Sequence, residues 1–174
     1  MANYNRFIVN HLEKYIRGKV LDAGSGNNPI NFGDRVIHVD LSDDADIKVD
    51  LNKKLPFKNE EFDTVYCSHA LEHLESPYLV LKEFKRVLKF DGNLIIALPN
   101  PHFIFSMQLS KKDHINLICE TSMQNTLEKI GFKIIKKYRN WLFIKNKLFG
   151  MICQHLPLFL QTDYWLIAQK VKNT

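Results

Sequence analysis

The chain has 174 residues and a mass of 20.4 kDa, enough for one domain around one core and too little for two. A hydrophobic share of 45%, a charged share of 25% and only seven glycines and six prolines exclude a disordered or fibrous chain. The net charge of +5 is uneven: residues 131–174 carry eight Lys/Arg against one acid, Asp163, a balance of +7 that leaves −2 for residues 1–130.

In chain order, Phe7, Ile8, Leu12 and Tyr15 stand near helical spacing and predict an amphipathic helix over 3–16, stopped by Gly18. Short apolar runs follow at Val20–Ala23, Val36–Val39, Ile47–Val49, Val65–Cys67 and Leu94–Leu98. Each is too short for a helix, and β-branched residues recur in most, so they read as strands. Between the fourth and fifth runs, Ser76 caps a helix that opens on Pro77. Val80, Leu81, Phe84, Val87 and Leu88 share its inner face. Asp91-Gly92 then turns the chain into the fifth strand. A second helix starts at Thr121, with Gln124 completing a capping-box pattern and Gly131 ending it. Phe132–Tyr138 and Tyr164–Ala168 read as strands six and seven.

Strands mixed with helices imply a layered α/β sheet. The crossovers Asn27–Asp34 and Leu41–Asp46 are short, whereas parallel connections normally take a dozen residues or more. One sheet face near strands two and three is therefore expected to be thinly covered. Either the N-terminal helix or a second copy, in a homodimer, would close it.

The sharpest local signal is VLDAGSGNNP over residues 20–29, a strand running into a Gly-x-Gly turn. A dinucleotide site wants a third glycine, and Pro29 stands at that position. Asp22, just before the glycines, would repel phosphate and suits a cationic ligand such as S-adenosylmethionine. Asp40 and Asp50 end the next two strands at the same rim. A carboxylate at Asp40 can accept from both ribose hydroxyls, and one at Asp50 from an adenine amino group. Three such acids in succession favour a nucleoside site over three unrelated turn acids.

The stretches VLDAGSG, HVDLS, DLNKKLPFKNEEFDTVYCSHALEHL and LKEFKRVLKFDGNLIIALPN resemble the class I S-adenosylmethionine-dependent methyltransferases, type 11 group. Phe90 and Asp91 stand where that family usually has proline and glycine. The resemblance implies an α/β, Rossmann-like, seven-stranded, mostly parallel sheet of order 3-2-1-4-5-7-6 with strand seven antiparallel. It implies that Asp22, Gly24, Ser25 and Gly26 hold the methionine end of the cofactor. By the same carry-over Asp40 and Leu41 hold the ribose side, and Asp50 and Leu51 the adenine. Ser68 and His69 would flank the methyl group, and His73 would help shape the cofactor pocket.

Methyl transfer is an in-line displacement at an activated carbon, so orientation and water exclusion supply most of the acceleration. A base is needed only for a hydroxyl or a protonated amine. His69 is the first candidate for that role and His114 the second. The pattern His69-x-x-Glu72-His73 with a distant histidine is faintly similar to the metal site of small-RNA 2′-O-methyltransferases, which has glutamate at the position of His69. Glu-His-Leu is also common in type 11 members without metal, and no metal ligand is assigned here. Asn100-Pro101-His102 reads as a turn at the pocket rim.

The resulting expectation is a methyltransferase acting on a small molecule, a sugar or a lipid-linked glycan. The alternatives are an RNA methyltransferase, suggested by the basic C-terminal quarter, and a non-catalytic nucleoside-binding regulator. No aromatic-and-basic interleaving marks a nucleic-acid module, so nucleic acid is not the expected partner. The apolar run 141–160 is expected near the active-site rim, where it would meet a membrane surface or a lipid-linked substrate; the alternative is that it fills the thinly covered core or a dimer interface. Three cysteines without C-x-x-C spacing, Cys67, Cys119 and Cys153, argue against a disulfide framework or zinc knuckle. They point to a reducing, cytoplasmic setting, with Cys67 buried and inert. No secretory signal is read at the N-terminus, and no apolar run approaches the roughly 20 residues that span a bilayer.

Overall fold

A computed structural model describes residues 11–26, 29–102, 114–141 and 161–172, with residues 140, 141 and 161 described by backbone alone. Seven strands form one sheet: β1 (Val20–Ala23), β2 (Val36–Asp40), β3 (Ile47–Lys48), β4 (Phe62–Ser68), β5 (Leu88–Pro99), β6 (Phe132–Trp141) and β7 (Gln161–Lys170). Their order is β3-β2-β1-β4-β5-β7-β6. β1 to β5 pair in parallel, and β7 runs antiparallel to both β5 and β6. This is the expected order, with the expected antiparallel strand. The carboxyl ends of β1, β2, β4 and β5 therefore share one rim, and the start of β7 joins them there: Asp163 pairs with Pro99.

Two helices cover one face, α1 (Pro77–Val87) and α2 (Glu120–Ile130). α1 opens on its proline as expected and buries Val80, Leu81, Phe84 and Val87. It runs directly into β5, which begins at Leu88 rather than after Gly92. Leu88 pairs with Phe62 and Asn93 with Thr64, so the intervening residues bulge out, and Asp91 takes φ +59°. The Asp-Gly turn signal is a bulge inside the strand. α2 begins at Glu120 after Cys119, earlier than the expected Thr121, and no side chain caps it. Gln124 Nε2 donates to Glu120 Oε1 (2.8 Å) instead of closing a capping box. Glu120 also receives Arg139 Nε of β6 (2.8 Å), which clamps the helix to the sheet edge.

The opposite face has no full helix among the described residues. Of the expected helix over 3–16, residues 3–10 lie outside the described set; Glu13–Tyr15 form one 3-10 turn, and Ile16 is already extended. The bond pattern explains this. The Arg17 amide donates to Thr64 Oγ1 (3.0 Å), that hydroxyl donates to the Arg17 carbonyl (2.9 Å), and Asn93 Nδ2 donates to the Tyr15 carbonyl (2.7 Å). Partners on β4 and β5 take main-chain groups that a longer helix would need for itself. Leu12 and Ile16, with Ile30 from the short β1–β2 crossover, pack on Val20, Val36, Tyr66, Ile95, Trp165 and Ile167. Among the described residues this face is thus covered by the turns at 11–16 and by the β1–β2 crossover. Beyond it the sheet edge stays open at Ile47, which is exposed. The expected apolar element at 141–160 lies outside the described residues except for Trp141, the end of β6. Among the described residues no helix is long and apolar enough to cross a membrane.

Arg86 and Glu83 tie α1 to the segment before β4. Arg86 donates to Glu83 Oε2 (2.8 Å) and to the carbonyls of Phe57 (2.8 Å) and Leu55 (3.1 Å). Glu83 accepts from the Leu55 amide (3.1 Å). The Arg86 guanidinium holds the Glu83 carboxyl below its ordinary 4.5. Its stabilising effect is therefore complete above 4.5 and is lost as pH falls through the lower folded value. Glu83→Gln is expected to cost about 1–2 kcal/mol at pH 7 in urea unfolding. The gap to the unaltered chain should close as the medium is acidified below pH 4.5.

Candidate functional site

The glycine loop sits where β1 ends, and three of its amides turn inward. The Gly24 and Ser25 amides both donate to the Val39 carbonyl of β2 (2.8 and 3.3 Å). The Gly26 amide donates to Asp40 Oδ2 (3.0 Å). These donors are not aimed outward as an anion cradle, which a pyrophosphate would require. Gly24 has φ +75°, and a Cβ there would lie 2.5 Å from Ala70 Cβ and 3.6 Å from Leu51 Cδ1. The loop thus packs directly on the chain that follows β4. Gly26 has φ +49° and open space around it. A cavity of about 250 Å³ lies beside the loop, lined by Ser25, Gly26, Pro29, His38 and Asp44.

The three rim acids differ in what they do. Asp22 is buried; its Oδ2 accepts from the Ile30 amide (3.0 Å) and lies 3.0 Å from His38 Nδ1. Burial pushes its carboxyl above the ordinary 3.8, while the Ile30 amide and His38 pull the other way. Asp22 therefore pins the end of the loop as well as charging the rim. Asp40 uses both oxygens locally, Oδ2 for Gly26 and Oδ1 for the Ser42 amide (2.9 Å). Each oxygen keeps a second lone pair for a ribose hydroxyl. Asp50 caps its own turn: Oδ1 accepts from the Asn52 amide (3.0 Å), which holds the carboxyl below its ordinary value. Leu51 is buried beneath Gly24, whereas Leu41 stands 62% exposed at the end of β2. Leu41 is an apolar group at the rim, suited to cover a flat ring.

The histidines gather at the end of β4. Ser68 closes that strand, and the His69 amide donates to the Ala97 carbonyl (3.0 Å). His69 holds φ +52°, a costly conformation for a residue with a side chain. Its Nδ1 lies 3.4 Å from Glu72 Oε1 and its Nε2 3.8 Å from Asp163 Oδ1. Glu72, in the 3-10 turn Leu71–His73, is buried. His114 joins the same place: its ring meets His73 edge-on with centroids 4.8 Å apart. The Ile115 and Asn116 amides both donate to the Glu72 carbonyl (3.0 Å each), which holds the incoming segment over the turn. The expected turn at Asn100–His102 forms, the His102 amide donating to Asn100 Oδ1 (3.1 Å). Cys67 is buried and its thiol pushed well up by that burial, as an inert cysteine would be.

All the cofactor-side residues expected from the sequence, and both candidate bases, thus lie on or next to one rim. Sequence reasoning missed Asp163. It was counted as a lone acid in a basic segment, and only the antiparallel course of β7 returns it to the rim. That isolation among cations was the available signal.

The family model described as "Methyltransferase domain" matches residues 21–96. An uncharacterised protein of Methanocaldococcus jannaschii is 32% identical over 149 residues, covering 74% of this chain and 71% of that protein. A demethylmenaquinone methyltransferase of Chlamydia muridarum is 29% identical over 116 residues; the match takes in 51% of this chain and half of that enzyme's length. Among solved structures, an S-adenosylmethionine-dependent methyltransferase from Archaeoglobus fulgidus superposes with a TM-score of 0.74 at 18% identity, over 97% of this chain and 94% of that one.

The two glycines should respond differently to a methyl group. Gly26→Ala carries only the left-handed backbone cost of about 1–2 kcal/mol. Gly24→Ala adds a collision with Ala70 and is expected to lower stability further. Urea unfolding of both variants checks the order.

Proposed function

The chain belongs to the class I S-adenosylmethionine-dependent methyltransferases, type 11 group, and on that premise we propose that its methyl acceptor is a small molecule, a sugar or a lipid-linked glycan. The cofactor is S-adenosylmethionine, which supplies an activated methyl group on a sulfonium. The residues present fit it. The described glycine-loop amides are bonded to Val39 and Asp40, and carboxylates stand at the ends of β1 and β2 and just after β3. Such a rim favours a cation without phosphate over a dinucleotide. That single observation carries the cofactor reading. Asp22 and Asp40 would face the methionine end and the ribose, and Leu41 and Leu51 would bracket the adenine.

On the acceptor side, His69 is set between two carboxylates at the end of β4. It would take the proton released when a hydroxyl or ammonium acceptor is methylated, with Glu72 and Asp163 holding the imidazolium formed. Two observations support a small or lipid-linked acceptor over RNA. Lys137 and Arg139 are drawn onto Glu120, and Lys170 onto Glu60, so part of the basic C-terminal quarter is committed within the fold. One relative is named for action on demethylmenaquinone, and this chain carries an apolar run at 141–160. The free Cys67 and Cys119 agree with a reducing, cytoplasmic setting.

Calorimetry should show S-adenosylmethionine and its demethylated product binding, and NAD not binding. Tighter binding of NAD overturns the site assignment. Incubation with methyl-labelled cofactor and fractionated cell extract then identifies the acceptor. Label entering an RNA fraction, with affinity that falls steeply with salt, would replace the small-molecule reading. No label in any fraction despite cofactor binding would point to a non-catalytic regulator.

With the labelled fraction as substrate, His69→Gln is expected to lower kcat by about 100-fold or more, the range of a lost general base. Its S-adenosylmethionine affinity should stay within about twofold of the unaltered chain. Asp163→Asn, acting through His69, should shift the pH profile of kcat without changing cofactor affinity.

A further inference from the structure

The turn that carries His69 also holds a group of metal-ligating atoms of which the methyl-transfer reading uses only part, one oxygen of Glu72 toward His69. One carboxylate oxygen of Glu72, one ring nitrogen of His73 and one of His114 lie within 4.8 Å of one another. Glu72 is 1% exposed, and its Oε2 is buried without a hydrogen-bond partner among the described residues. Its other oxygen, Oε1, faces His69 Nδ1 at 3.4 Å. A buried carboxylate with one oxygen unsatisfied is costly unless something positive reaches it. No lysine or arginine is paired with Glu72 among the described residues. What stands next to it is imidazole.

We propose that Glu72, His73 and His114 bind one divalent transition-metal ion of the zinc class. Two imidazoles and one carboxylate form a donor set that suits zinc and its neighbours better than magnesium or calcium, which prefer all-oxygen shells. With bonds of 2.0–2.2 Å, ligand atoms on one ion lie about 3.3–4.3 Å apart. The present spread of 4.8 Å closes by a modest rotation of His73, whose side chain is exposed and so least constrained. The site is built from both sides. Glu72 and His73 come from the turn after β4, and His114 is held over them by the amides of Ile115 and Asn116 on the Glu72 carbonyl. Three protein ligands leave a position open for an exogenous oxygen. Resting on the functional reading above, that position would receive the acceptor's hydroxyl and ease its deprotonation beside His69.

The test is titration of the metal-free full-length chain with Co²⁺, read by visible absorption, with Zn²⁺ as competitor. One equivalent should bind and produce d–d bands that Zn²⁺ abolishes. His114→Ala and His73→Ala should each weaken binding at least 100-fold, above the roughly 10–100-fold seen for outer-shell losses. His11→Ala, whose ring packs on Tyr138 away from the cluster, should leave it unchanged. Far-ultraviolet circular dichroism and urea unfolding on the same samples report that each variant is folded. Should His114→Ala fail that check, His114→Gln takes its place. Absence of Co²⁺ bands, or bands equally strong in the His73 and His114 variants, overturns the metal site and leaves the methyltransferase reading standing. Co²⁺ bound as described, in a chain that does not bind S-adenosylmethionine, supports the metal site and counts against the functional reading.

Discussion

One carbonyl, that of Val39, receives the amides of both Gly24 and Ser25, and the rim of this protein is arranged around that shared acceptor. It draws the glycine loop sideways onto the end of β2, where Asp40 takes the next amide, from Gly26. Two consequences follow from geometry. The described amides of the loop are turned inward, away from the outward aim by which glycine loops bind phosphate. The loop also lies flat enough for Ala70 to press on Gly24. That contact positions the turn after β4, and with it His69, Glu72 and His73. The cofactor side and the acceptor side are therefore coupled through one close backbone approach.

The two buried acids of the rim show opposite solutions to the same electrostatic problem. Asp22 is compensated by a backbone amide and an imidazole, both 3.0 Å away. A group held in this way stabilises local structure. Glu72 has His69 at 3.4 Å on one oxygen and no hydrogen bond on the other among the described residues. Stability alone would favour an apolar side chain at this depth, since replacing an ill-satisfied buried charge is neutral or stabilising. The left-handed backbone of His69 next to it is a second local cost. Two unfavourable features within four residues, at the carboxyl end of β4, single the turn out as a candidate for chemistry.

The strands were legible because each is a short apolar run between polar turns, and the order of the sheet followed from the family likeness of the motifs. What misled the reading was local chemistry with two uses. Asp91-Gly92 is a turn signal in isolation, yet here it forms a bulge within β5, because Leu88 already pairs with Phe62. Thr121 and Gln124 spell a capping box, but Glu120 offers Gln124 a nearer partner and also meets Arg139. The amphipathic spacing before Gly18 predicts a helix over 3–16, of which only 11–16 are described; 11–15 form helical turns, and partners on β4 and β5 take the main-chain groups where they end. The acids at 22, 40 and 50 were visible as a set. That each also serves the fold was not, because their acceptors' partners (Ile30, Gly26, Ser42 and Asn52) are backbone amides and carry no side-chain signature.

That difference explains why the cofactor half is readable from one sequence and the acceptor half is not. Around the proposed cofactor site, side chains add their own tethers to the main-chain bonds on Val39. Asp22 and Asp40 each hold a named amide, and Gly24 must lack a side chain, so residue identity and geometry are bound together. On the proposed acceptor side many tethers are main chain to main chain, with the Asn116 side chain on the Leu74 carbonyl (2.6 Å) beside them. The Ile115 and Asn116 amides hold the Glu72 carbonyl, the Asn100 amide holds the Thr162 carbonyl, and the His69 amide holds the Ala97 carbonyl. Bonds of this kind tolerate nearly any side chain. Three segments far apart in sequence are thereby brought to one rim, while the groups they present stay free to differ without loss of the fold. In the proposed reading acceptor choice rests on those presented groups, His69, His114 and Asp163 among them, and only the folded chain brings their segments to one rim.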